Sequence, residues 1–172
     1  MSDESNTLKA QTEAKIAAGR KGNPAFMKGV DESIAQAKSF QEGANALALE
    51  QIAPSFELPN QHGQSVQLTE LLAKGPVVVT FYRGSWCPYC NLQLKALQAR
   101  LPEIHALGAQ LVAISPQVPD LESLNNGNGS ILPIPATFVL NSEGKVTWRY
   151  VDVDYRTRSE PEDIINALKA LS

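Results

Sequence analysis

The stretch VVVTFYRGSWCPYCNLQLKALQ, Val77 to Gln98, decides how this chain is read. It contains the only two cysteines, Cys87 and Cys90, directly after a run of β-branched and aromatic residues. Val77 to Tyr82 is apolar enough for a central strand buried on both faces. Beyond Pro88, the residues Leu94, Leu97, Leu101 and Ile104 recur at helical spacing. Gly108 marks a stop, and Gln110 to Ser115 reads as a second buried strand. Strand, helix and strand in succession predict a right-handed βαβ unit with parallel strands.

Upstream, NQHGQS reads as a hairpin loop between Phe56–Leu58 and Val66–Leu68, and Thr69 offers an N-cap to a short helix ending at Gly75. Downstream, ATFVLNSEGKVTWRY reads as a second hairpin with Asn141 to Gly144 at its turn. Ser159 and Glu162 have capping-box spacing before a terminal helix whose apolar face is Ile164, Ile165, Leu168 and Leu171. The first fifty residues are rich in Ala, Lys, Glu and Gln, and Gly22, Asn23 and Pro24 divide them into two helical stretches. Met27, Val30, Ile34 and Ala37 give the second stretch a modest apolar face, suited to packing on the domain or on the second subunit of a homodimer. The pattern predicts an α/β fold, a central mixed β-sheet flanked by helices, over residues 49–172, preceded by a helical N-terminal extension over residues 1–48. NNGNGS, Asn125 to Ser130, is a flexible connector by composition.

At 172 residues, 43% of them hydrophobic, the chain suits one core with an appendage. A net charge of −3 provides no basic surface for a phosphate backbone, which argues against nucleic acid as a partner. Neither a signal-peptide core in the first thirty residues nor a run of about 18 apolar residues is present, so the reading is a cytoplasmic protein with no membrane contact. In a reducing compartment, a close cysteine pair points to catalysis, redox sensing or metal binding rather than to a structural disulfide.

A Cys-x-x-Cys at a strand-to-helix junction puts Cys87 at a helix N-terminus, where free backbone N–H groups and the dipole favour a thiolate. Pro88 suits the first helical position, and Arg83 adds positive charge. Cys90, one turn on, is placed to resolve an oxidised Cys87 into a disulfide. Two small thiols buried in a core is the plain alternative. Zinc is the rival: Cys87, Cys90, His62 and His105 make four ligand types, but His105 lies fifteen residues beyond Cys90, about 22 Å along one helix. No metal is therefore expected. Nucleotide-binding glycine loops are absent as well, and no cofactor is expected. Tyr82 and Trp86 would shape the mouth of the site, although plain packing explains such a pair equally well. The mixed charges of VDVDYRTRSEPED, Val151 to Asp163, read as a solvated connection with Arg–Asp pairs.

Pro135 in LPIPATFVL stands just before a strand in a chain that already has the β, CxxC-helix, β order. This constellation resembles the thioredoxin-like fold. The resemblance implies a cis Ile134–Pro135 bond that would present the Ile134 backbone to an extended thiol substrate. APSFELPNQHGQSVQLTELLAKGPVVVTFYRGSWCPYC is similar to the opening of the peroxiredoxin-like branch with the alkyl hydroperoxide reductase and thiol-specific antioxidant domain, carried by Pro54, Phe56, Leu58, Gly63, Leu68, Phe81, Tyr82, Trp86 and Cys87. LVAISPQ, IPATF and VDVDYRTR extend the likeness across residues 48–172.

The chain also departs from that pattern. Peroxiredoxins resemble one another in Pro-x-x-x-Thr-x-x-Cys; here Arg83 takes the proline position, Cys87 the threonine and Cys90 the peroxidatic cysteine. The family register thus favours Cys90 as first attacker, whereas helix-end electrostatics favour Cys87. Thioredoxins place a buried carboxylate where this chain has Thr80. The path from Ser115 to Pro135 is short, which suggests a deletion around Asn125 to Ser130.

The resemblance implies an antioxidant oxidoreductase that reduces a hydroperoxide through Cys87 and Cys90 and is restored by an external thiol, a thioredoxin-like protein or glutathione. A thiol-disulfide oxidoreductase acting on a disulfide substrate is the second reading, and a redox-sensing interaction module without turnover is the third.

Overall fold

The computed structural model describes residues 7–116 and 133–172. The Asn125 to Ser130 connector and the suggested deletion lie outside the described residues. Two helices come first, α1 (Leu8–Gly22) and α2 (Pro24–Ser39). Asn23 separates them and caps the second, its side-chain oxygen accepting from the Phe26 N–H at 3.1 Å. The first hairpin pairs β1 (Glu57–Pro59) with β2 (Ser65–Gln67). Asn60 Oδ1 accepts from the N–H groups of His62 and Gln64 and ties its loop.

Helix α3 (Leu68–Leu72) starts earlier than the sequence suggests. Thr69 lies inside it, and Gln67 occupies the N-cap without a side-chain bond. Burial of Leu68, whose N–H donates to Phe56 O at 3.0 Å, places this helix start where a hydroxyl cap does not.

The βαβ unit follows as β3 (Val77–Phe81), α4 (Pro88–Ala99), α5 (Leu101–Ala106) and β4 (Gln110–Ile114), with β3 and β4 parallel. The single helix expected across this stretch is two. Pro102 has no N–H to continue the ladder of α4, so the chain breaks at Arg100 and restarts with Pro102 in the first turn of α5. The second hairpin joins β5 (Ala136–Leu140) to β6 (Val146–Val151), and α6 (Pro161–Lys169) closes the chain. The sheet order is β4-β3-β5-β6, with β5 antiparallel to both of its neighbours. The sheet is therefore mixed, as expected.

Alternation along the strands divides the core between the two faces. Val78 and Val139 point to one side and are covered by Leu97 of α4, Ile104 of α5 and Ile164, Ile165 and Leu168 of α6. Val77, Val79, Phe138, Leu140 and Val146 point to the other, against Leu68 and Phe56. Both faces are thus buried, which explains the uninterrupted apolar run in β3. Each such side chain contributes about 1.5–3 kcal/mol on burial. Gly75 is required where α3 meets β3: its φ is +140°, and a Cβ there would lie 2.2 Å from the Gly108 carbonyl oxygen.

The terminal capping box does not form. Pro161 begins α6, Glu160 stands at its N-cap without a side-chain bond, and the buried Ser159 hydroxyl finds no partner among the described residues. The Glu160 carboxylate instead accepts from the N–H groups of Leu8 at 3.2 Å and Lys9 at 2.6 Å, and so caps α1. The Ile134–Pro135 bond is trans, contrary to the expected cis form: among the described residues no peptide bond is cis. Trans is the lower-energy state of an X–Pro bond, and Pro135 leads from it straight into β5.

Candidate active site

Strand β3 delivers the chain to a tight loop that reverses at Gly84, and α4 begins immediately afterwards. Gly84 has φ +144°, and a Cβ there would approach Trp86 Nε1 to 2.6 Å. The loop is closed by the Cys87 N–H donating to Gly84 O at 3.1 Å and by Asn91 Nδ2 donating to Ser85 O at 2.8 Å. Cys87 is the N-cap of α4, with Pro88 in the first turn, as the sequence indicates. Cys90, one turn in, points to the interior. Cys87 is 1% exposed and Cys90 0%. They form a small cluster with the buried Tyr89, and Tyr82, Tyr155 and Ile16 pack against it.

The electrostatics of this pair run against the helix-end expectation for Cys87 and with the family register for Cys90. The thiol of Cys87 hydrogen-bonds to Cys90, which lowers the Cys90 pKa and raises that of Cys87. Burial pushes both thiols up; a backbone hydrogen bond at Arg83 and the guanidinium of Arg158 lower Cys90 further, and Arg158 also lowers Cys87. Arg158 Nη2 donates to Cys90 Sγ at 3.3 Å. The helix end serves both thiols, and the cation lies on Cys90. The balance of these influences favours the thiolate on Cys90 and the proton on Cys87.

Arg158 was not foreseen, because Val151 to Asp163 reads as a solvated connection. Arg156 does pair with Asp154, through Nε at 2.8 Å and Nη2 at 2.9 Å. Both arginines are nevertheless buried, and Arg158 is held by the carbonyls of Tyr155 and Thr157. The usable signal was an asymmetry: Arg156 has Asp154 two residues before it, whereas Arg158 has no carboxylate so placed.

The remaining expected residues fall into two groups. Tyr82 and Arg83 are at the site, and the Arg83 guanidinium lies 3.9 Å from the Tyr155 ring centroid and 5.1 Å from that of Trp86. Trp86 is 60% exposed and stands at the rim. Pro135, one residue beyond the Phe81–Ala136 pair, stands level with Tyr82 by register. The Ile134 side chain lies toward Gly43 and Val151 instead. Thr80 bonds to Thr137 at 3.0 Å, and Gln93 Nε2 donates to Thr137 at 3.3 Å, so a buried neutral network occupies the place of a carboxylate. His62 and His105 are exposed on a loop and on α5. Among the described residues no group of three or more His, Cys, Asp or Glu is placed to hold a metal.

Residues 49–128 match the model of the AhpC/TSA family. Over those residues the chain is similar to that family. Peroxiredoxin Bcp of Escherichia coli is 34% identical over 76 residues, 44% of this chain and 48% of Bcp, so the match spans about half of that relative. The thiol-disulfide oxidoreductase ResA of Bacillus subtilis is 26% identical over 151 residues, 77% of this chain and 78% of ResA. Peroxidoxin BcpB of Mycobacterium tuberculosis superposes with a TM-score of 0.59 at 20% identity, covering 73% of this chain and 99% of that one. The chain has the thioredoxin-like fold. Among the described residues no helix is long and apolar enough to cross a membrane.

Proposed function

We propose that this oxidoreductase reduces hydroperoxides with Cys90 as the attacking thiolate and Cys87 as the resolving thiol. The observation that carries the reading is the Arg158 guanidinium on a Cys90 sulfur that also receives the Cys87 S–H. The thiolate attacks the distal peroxide oxygen; an S–O bond forms, the O–O bond breaks, and the alkoxide leaves as an alcohol on taking a proton. Cys90 is now a sulfenic acid. The Cys87 sulfur then attacks it, forming the disulfide and releasing water. An external dithiol, a thioredoxin-like protein or two glutathiones, takes up the oxidising equivalent and returns both thiols. Residues 49–172 carry this chemistry, in a reducing cytoplasm. Tyr82, Arg83, Trp86, Pro88 and Pro135 line the approach.

The Cys-x-x-Cys spacing and the longer match to ResA favour thiol-disulfide exchange as a second reading. In that case Cys87 would attack, a role its raised pKa opposes.

Single-turnover peroxide consumption with intact-mass detection separates the two. Cys87→Ser is expected to accumulate a stable sulfenic acid, and Cys90→Ser to react no faster than a free thiol. Sulfenic acid in Cys90→Ser but not in Cys87→Ser would overturn the assignment, and no fast reaction in either would leave disulfide exchange as the function.

A further inference from the structure

The reactive pair lies under α1. Ile16 of α1 packs against the Cys87, Tyr89 and Cys90 cluster, and Thr12 and Leu8, one and two turns earlier on the same face, are buried as well. Met27 and Ile34 of α2 are buried too, and polar contacts add to the hold on both helices. Glu160 binds the two N–H groups at the start of α1. On α2, Asp31 Oδ1 accepts from Arg156 Nη1 at 2.7 Å, and Asp31 also pairs with Arg20 of α1 at 3.2 Å. An open cleft of about 540 Å³, lined by Glu13, Ile16, Ala17, Arg20, Asp154 and Arg156, runs along the same seam. The large apolar side chains Phe26 and Phe40 are 64% and 69% exposed and contribute little to docking.

We propose that α1 and α2 form a cover over the cysteine pair, latched by Glu160 on the start of α1 and by Asp31 on Arg156, which must lift before a protein thiol can reach the Cys87–Cys90 disulfide. The use of the cover rests on the thiol-dependent reading above; its existence does not. A disulfide between two sulfurs with 1% and 0% exposure offers no surface to a macromolecular thiolate, which must approach the sulfur in line. A seam held by a narrow apolar stripe on α1, Met27 and Ile34 of α2 and two carboxylate contacts is a smaller core than the sheet beneath, which is buried on both faces, and belongs to the low-stability end of the fold. Opening is therefore local. Because Arg156 and Arg158 share one short segment, the latch also connects directly to the group that holds the thiolate.

The test traps thiols in the reduced full-length protein with iodoacetamide and with a maleimide carried on a polymer of several kilodaltons. Amide hydrogen exchange is followed in parallel. In the wild type the bulky reagent is expected to lag far behind the small one, relative to their rates on the denatured chain. Asp31→Asn with Glu160→Gln is expected to speed the bulky reaction about tenfold, with faster exchange in α1 and α2 and unchanged protection in β3 and β5. Should the double variant lose protection in β3 and β5, the single Asp31→Asn variant gives the same readout with a smaller rise. Equal relative rates for both reagents in the wild type would overturn the cover. Unchanged trapping in the variants, whether or not α1 exchanges faster, would overturn the latches. Peroxide turnover enters none of these measurements, so failure of the cover and failure of the peroxidase reading are told apart.

Discussion

Arg158 Nη2 stands 3.3 Å from Cys90 Sγ, joining the segment before α6 to the first turn of α4 across 68 positions of sequence. A charge-assisted bond of this kind contributes about 1.5–3 kcal/mol, the equivalent of about one to two pKa units. Arg158→Met in a Cys87→Ser background is expected to move the pH profile of Cys90 alkylation upward by about that amount. A profile that stays in place would remove Arg158 from thiolate stabilisation, even if the variant is less stable.

The shifted thiols also make stability depend on pH. The Cys90 pKa is lowered from 9.0 to about 5, so the folded pair has released a proton between those values while the unfolded chain keeps it. Stability from Cys90 is fully present above pH 9 and is lost as pH falls toward 5. The raised Cys87 pKa acts only above its unfolded value and leaves this window alone. Denaturant midpoints of the reduced wild type, minus those of Cys90→Ser, should therefore rise from pH 5 to 9. A flat difference would contradict a Cys90 thiolate in the folded state.

Ile164 is 0% exposed and packs with Val78, Val139 and Leu97 between α6 and the sheet. Ile164→Ala is expected to cost about 2–5 kcal/mol in urea unfolding. Under native conditions the Cys90 alkylation profile should not move, because the cavity lies in a different cluster from the cysteines.

Trp86 is mostly solvated, so Trp86→Ala should change stability by less than about 0.5 kcal/mol. As part of the rim, it is expected to raise KM for an aromatic hydroperoxide more than for hydrogen peroxide. An equal effect on both substrates would place Trp86 outside the approach.

Gly75→Ala would set a methyl against the Gly108 carbonyl in a backbone conformation that side chains avoid. A loss of at least about 1 kcal/mol is expected. Full stability at this position would mean that the turn between α3 and β3 relaxes freely.

Local patterns were legible where one element settles the outcome by itself. The apolar run Val77 to Phe81, the hairpin turn at Asn141 to Gly144 and the apolar face of α6 appear where periodicity puts them. Helix starts were less legible, since Leu68 and Glu160 are governed by partners far along the chain. The break at Pro102 was readable in principle, because proline interrupts a helix without tertiary help.

The sequence by itself determined the βαβ unit, the position of Cys87 at a helix start and the presence of a nearby second thiol, since these depend on periodicity and on spacing within one turn. Only the tertiary structure bears on which sulfur is favoured to carry the charge. That depends on where the Arg158 guanidinium ends up and on the direction of a single S–H bond, and neither is encoded in the spacing of two cysteines. It also decided that α1 lies over the pair, because the Glu160 and Asp31 contacts join segments whose proximity exists only after folding.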